Sequence, residues 1–126
     1  IEGGYHMLVI RKEQIEVLRE HRLKQFEDRV AAHLRELFPE ETAGMDDERL
    51  RLYVRGGVVR AEKYDIIEED NVEKYLEFMM VYGQDFDVEE ETRWAREILN
   101  NSLLNSFEKI DELEMHAAFA SMEDAA

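Results

Sequence analysis

The apolar positions of this chain recur at helical spacing. Ile15, Leu18, Leu23, Phe26, Val30, Leu34 and Leu37 follow one another at steps of three, five, three, four, four and three residues. That is close to the 3.6-residue period that sets one face of a helix against a core. The spacing predicts a first helix from about Lys12 to Phe38, after an extended lead-in at Met7–Ile10. Pro39 stops it, because the residue before a proline avoids the helical region.

A second helix is predicted to start at Asp46 or Asp47, where a carboxylate accepts the unpaired amide hydrogens of the first turn. Leu50, Val54, Val58 and Ala61 then step by four, four and three. Gly56-Gly57 falls inside this helix, where each glycine costs about 1 kcal/mol against alanine. Close crossing by another helix is the expected reason, with a kink as the alternative. The third helix runs from about Glu69 to Tyr82, with Val72, Tyr75, Leu76, Met79 and Met80 on a broad apolar stripe. Gly83 is placed as its C-terminal stop.

Asp85-Phe86-Asp87 makes the next turn. Asp87 is expected to cap a fourth helix over about Val88–Asn100, with Glu90 completing a capping box and Trp94, Ala95, Ile98 and Leu99 inward. A last helix, about Ser106 to Ala120, turns Phe107, Ile110, Leu113 and Ala117 inward. No stretch alternates long enough to predict a strand. The expected fold is all-α, a compact single-domain bundle of about five helices.

The ends are read separately. Ile1-Glu2-Gly3-Gly4 resembles a protease-site or linker remnant, and His6-Met7 the trace of a cloning site, so residues 1–6 are set apart and Met7 is taken as the native start. Residues 7–120 form the expected domain, and residues 121–126 are expected to fray. From Met7 onward no signal-peptide pattern appears, and no apolar run approaches the ~20 residues of a membrane span. The expectation is a cytoplasmic protein without a membrane partner.

Charge narrows the partners. Sixteen Lys+Arg stand against 31 Asp+Glu, a formal net charge of −15 in 126 residues. Such a surface repels phosphate backbones, which argues against nucleic acid. It either serves solubility alone or attracts a basic protein surface. The chain has no cysteine, which removes disulfides, thiolate zinc sites and cysteine nucleophiles.

Candidate chemistry is sparse. His21 and His33 lie twelve residues apart, about 120° around a shared helix, and so do not share a face. His116 stands alone near the C-terminus. The acidic turn from Asp85 has Glu90 where a calcium loop needs glycine. Ser102, Ser106 and Ser121 lie outside any nucleophile elbow. No catalytic, metal or cofactor site is therefore expected. The aromatic and methionine set around the third helix is richer. It is expected either to fill the core or to expose an anchor patch, and Tyr75, Phe78, Tyr82, Asp85 and Phe86 are the candidate partner-binding residues.

Two stretches carry a family resemblance. The first is Met7-Leu-Val-Ile-Arg-Lys-Glu-Gln14 followed by Phe26, Arg29, His33-Leu34-Arg35 and Phe38-Pro39. The second is Tyr64-Asp65-Ile66, Glu69-Asp70-Asn71-Val72, Tyr75-Leu76, Met79 and Gly83-Gln84-Asp85-Phe86-Asp87. Over about residues 7 to 100 the chain resembles small helical proteins encoded in bacterial type VI secretion clusters, beside spike (VgrG), PAAR-type and effector-adaptor genes. Where the family has a tyrosine-glycine turn, this chain has Tyr64-Asp65. The resemblance implies a non-enzymatic accessory factor, a co-chaperone or adaptor that holds a secreted effector or its adaptor. An immunity protein that blocks a neighbouring toxin is the alternative. It implies no catalytic residues and no oligomeric state.

Overall fold

The computed structural model describes the backbone of residues 12–125 and the side chains of residues 19–122. The predicted lead-in at Met7–Ile10, the remnant at residues 1–6 and the side chains of Ile15 and Leu18 lie outside the described residues. Six helices occur among those described: α1 (Lys12–Leu37), α2 (Pro39–Thr42), α3 (Asp47–Lys63), α4 (Glu69–Tyr82), α5 (Arg93–Leu99) and α6 (Ser106–Ala125). The fold is an all-α bundle, as the periodicity predicts.

Most boundaries follow from local chemistry. Phe38, at φ −127° and ψ 63°, has left the helical region just before Pro39, and Pro39 opens the single turn of α2. The Arg35 guanidinium ties this corner by donating to the carbonyls of Thr42 (3.0 Å) and Met45 (2.8 Å). Asp46 caps α3, its carboxylate accepting the Arg49 amide at 2.7 Å. Gly83, at φ +107°, ends α4 in a conformation open to glycine, and its amide still reaches Met79 O at 2.8 Å.

The fourth predicted helix is shorter than expected. Residues 84–92 lie in a non-helical loop with turns at 84–88 and 91–92, and α5 begins at Arg93 instead of Val88. The predicted capping box at Asp87 and Glu90 does not form, because Asp87 points inward to other partners. A reciprocal box sits at the head of α6 instead. Glu108 N donates to Asn105 Oδ1, and Asn105 N to Glu108 Oε1, each at 2.9 Å. At its other end α6 continues past the predicted stop at Ala120 to Ala125.

Helix α4 is the hub, packing against α1, α3 and α6, while α5 packs on α6. Its stripe of Val72, Tyr75, Leu76 and Met79 is buried with Val30 and Leu34 of α1, Leu50, Val54 and Ala61 of α3, and Ile110 and Leu113 of α6. The paired glycines divide their roles here. Gly57 faces α4 so closely that a built Cβ would overlap the Leu76 side chain and lie 2.9 Å from Met79 Sδ. Gly56 points to open space. Close crossing is therefore the reason for Gly57 and not for Gly56.

An exposed arginine also joins α3 to α1 by pairing with a buried carboxylate. Glu27 is fully buried, and its two oxygens accept from Arg55 Nε at 2.8 Å and Nη2 at 3.1 Å. The fork geometry meets the carboxylate with two parallel bonds.

The glycines yield opposite predictions. Gly57→Ala is expected to lower stability by about 1–3 kcal/mol, the usual cost of overpacking. Gly56→Ala is expected to raise it by about 0.5–1 kcal/mol through helix propensity. Urea unfolding followed by circular dichroism checks both.

Candidate functional site

The candidate residues Tyr75, Phe78, Tyr82, Asp85 and Phe86 do come together, but mostly inside. Tyr75 and Phe86 are wholly buried with ring centroids 5.1 Å apart, and Phe78 lies 6.3 Å from Phe86 and is buried as well. The series continues through Tyr82, stacked on Phe78, to Trp94, edge-on to Tyr82 at 5.3 Å, and ends at His116, which stacks on Trp94 at 4.8 Å. It is the seam that joins α4 to α5 and α6. Tyr75, Phe78 and Phe86 are thus core residues, so of the two alternatives the sequence left open they take the core and not the exposed anchor. Of the five, only half-buried Tyr82 and exposed Asp85 reach solvent.

What turns the loop after α4 inward is Asp87. Its carboxylate is fully buried and gripped by Arg60 of α3, Nε to Oδ2 at 3.0 Å and Nη2 to Oδ1 at 2.7 Å. The Tyr64 hydroxyl donates a third bond to Oδ2 at 2.6 Å. Arg60 Nη1 also reaches Asp85 Oδ1 at 3.2 Å. Thr92 closes the loop, its hydroxyl donating to Phe86 O at 2.6 Å. Helix α6 joins the same anchor through Lys109, whose Nζ, buried, donates to Tyr64 O at 2.9 Å.

This environment acts on the tyrosines. Burial, then the bond to Asp87, pushes the Tyr64 phenol above its ordinary range. Burial, then the nearby Asp87 charge, does the same to Tyr75. Burial alone pushes Tyr53 up to about 12. All three are held neutral. Tyr75 differs from Tyr64 in that its buried hydroxyl has no hydrogen-bond partner among the described residues.

With the seam inside, exposed apolar area is found on the last helix. Ile110 and Leu113, with half-buried Ala117, form its inward stripe. Met115, Phe119 and Met122 step by four and three residues and fall roughly 180° around the helix from that stripe. They are exposed by 56%, 60% and 66%, and Phe107, expected inside, is 56% exposed at the near end. Glu108, Asp111 and Glu112 interleave this outer face and are exposed. The helix's only lysine, Lys109, is directed inward. The outer face is therefore apolar and acidic with no Lys or Arg among its described side chains. Its signal was present in the chain as a second helical period, masked by the stronger inward one.

Among the described residues, one group of potential metal ligands converges: His33 of α1 with Glu73 and Glu77 of α4, their ligand atoms within 4.8 Å of one another. Spacing along one helix separates His33 from His21, whereas this group meets across two helices.

The Asp87 anchor and the orphan hydroxyl predict contrasting phenylalanine variants. Tyr64→Phe is expected to cost about 1.5–3 kcal/mol, the range for a hydrogen bond to a charged group. Tyr75→Phe is expected to be neutral or stabilising by up to about 1 kcal/mol, since it removes an unsatisfied buried hydroxyl. Thermal unfolding of the two variants measures the difference. Alkaline pH tests the raised phenols. Their stabilising effect is complete below the unfolded tyrosine value of about 10 and is lost as pH rises through the folded values. Stability is expected to fall above about pH 10. Near pH 11 native protein is expected to show less tyrosinate absorbance than urea-unfolded protein.

Comparison of the chain with protein-family models, curated proteins and solved structures found no match.

Proposed function

We propose that the protein is a non-enzymatic binding module that presents the outer face of α6 to another protein. The observation that carries this reading is the second apolar stripe of Met115, Phe119 and Met122, with Phe107 beside it, on a helix already anchored by its opposite side. A helix apolar on two faces has more hydrophobic surface than its own core covers, and methionine and aromatic side chains are favoured at protein contacts. The flanking Glu108, Asp111 and Glu112 and the net charge of −15 define the occupant: a protein groove with an apolar floor and a Lys- and Arg-rich rim. Following the family resemblance, that occupant is a type VI secretion effector or its loading adaptor, which the protein holds as a co-chaperone.

The expected outcome is a stable complex when the chain is co-expressed with the neighbouring effector or adaptor and passed over a sizing column. Phe119→Asp and Met115→Asp are each expected to weaken it by about 2 kcal/mol or more, roughly thirty-fold, as loss of a central anchor does. Their exposed positions leave thermal stability within about 0.5 kcal/mol. Raising salt from about 0.05 to 0.5 M is expected to slow association. Unchanged affinity in both variants removes α6 as the contact. Rescue of cells expressing the neighbouring toxin, with no effect on effector level or export, replaces the co-chaperone reading with an immunity role.

A further inference from the structure

We propose that His33, Glu73 and Glu77 form a binding site for a divalent transition-metal ion of the zinc class, clasping α1 to α4. Glu73 and Glu77 are four residues apart on α4 and so share a face. His33 meets both from α1. Its Nε2 lies 3.3 Å from Glu73 Oε1 and 3.4 Å from Glu77 Oε2.

Those two distances are long for N–H···O bonds, which center near 2.9–3.0 Å and run to about 3.2 Å. Nε2 carries at most one hydrogen, so it cannot serve two carboxylates fully. The same distances match the edge of a tetrahedron around a zinc-class ion, whose bonds of about 2.0–2.1 Å to histidine nitrogen and carboxylate oxygen set ligands about 3.3–3.4 Å apart. One ion between the three groups would serve all of them, and two carboxylates offset its double charge.

The surroundings suit that role. Arg29 Nη1 donates to the other oxygen of Glu73, Oε2, at 3.0 Å, which fixes the carboxylate and turns Oε1 toward His33. Hydrogen bonds of this kind hold a metal-binding carboxylate in one orientation. Arg29 also reaches Glu69 Oε1, through Nη2 at 3.4 Å. The three ligands are half-buried, which leaves water access to a fourth coordination position. A neutral imidazole beside carboxylates favours zinc, cobalt or nickel over magnesium and calcium, which prefer all-oxygen sites.

Titration calorimetry with zinc chloride on the full chain, stripped of metal, tests the site. One equivalent is expected to bind with a dissociation constant in the micromolar range, and zinc is expected to raise the unfolding temperature by several degrees. His33→Gln and Glu77→Gln are each expected to weaken binding at least about thirty-fold, while His21→Ala and His116→Ala leave it unchanged. Because the ligands are half-buried, circular dichroism of the two glutamine variants is expected to match the parent. If either fails to fold, cobalt bound to the parent chain still decides. A visible absorption band of four- or five-coordinate cobalt, displaced by zinc, supports the site, and the weak spectrum of hexaaqua cobalt overturns it. Millimolar affinity, or binding unaffected by His33→Gln in folded protein, also overturns it.

Discussion

A carboxylate removed from water needs its charge met inside the protein, and much of this structure is arranged around one such group, Asp87. Arg60 meets it with a two-pronged grip and Tyr64 with a hydroxyl bond, so the end of α3 fixes the loop that leaves α4. With Asp87 held inward, its neighbour Phe86 inserts against Tyr75 and Phe78. Lys109 then reads the Tyr64 carbonyl, which brings α6 onto the same point. Removing one partner strands the other charge or dipole in a dry setting, which is why such a network specifies one arrangement.

This network also decides which aromatic side chains face outward. The seam from Tyr75 to Trp94 is used up in joining α4 to α5 and α6. Part of the apolar surface left over lies on the far side of α6, where carboxylates interleave its methionines and phenylalanines. A contact face of that composition gains affinity from the apolar centre and encounter rate from the charged margin. The cluster of His33, Glu73 and Glu77 lies elsewhere, on the seam between α1 and α4, and bears on how the bundle is held together more than on what it touches.

Much of the fold was legible because its causes are local. The helical period, Pro39, the Asp46 cap and the Gly83 stop each act within a turn or so of chain, and each stands where the sequence placed it. The start of α5 was not legible. Asp87-x-x-Glu90 has the form of a capping box, but the partner that claims Asp87 is 27 residues away at Arg60. Residue type also failed to assign the candidate site. Tyr75 and Phe86 announce a large apolar area without saying which way it points, and a loop pinned by a distant ion pair sets that direction. The same limit applies to Gly56-Gly57, where identical residues face open space in one case and the Leu76 side chain in the other. His33, Glu73 and Glu77 meet only because α1 packs on α4.

Methyl NMR of the methionines, with a soluble relaxation agent and then with the proposed effector or adaptor partner added, tests the central claim that the α4 seam is closed and α6 carries the contact. Met79 is expected to be shielded throughout. Met115 and Met122 are expected to be strongly relaxed in the free protein and protected in the complex. Relaxation of Met79 comparable to Met115, or a complex that leaves Met115 and Met122 as exposed as before, would contradict it.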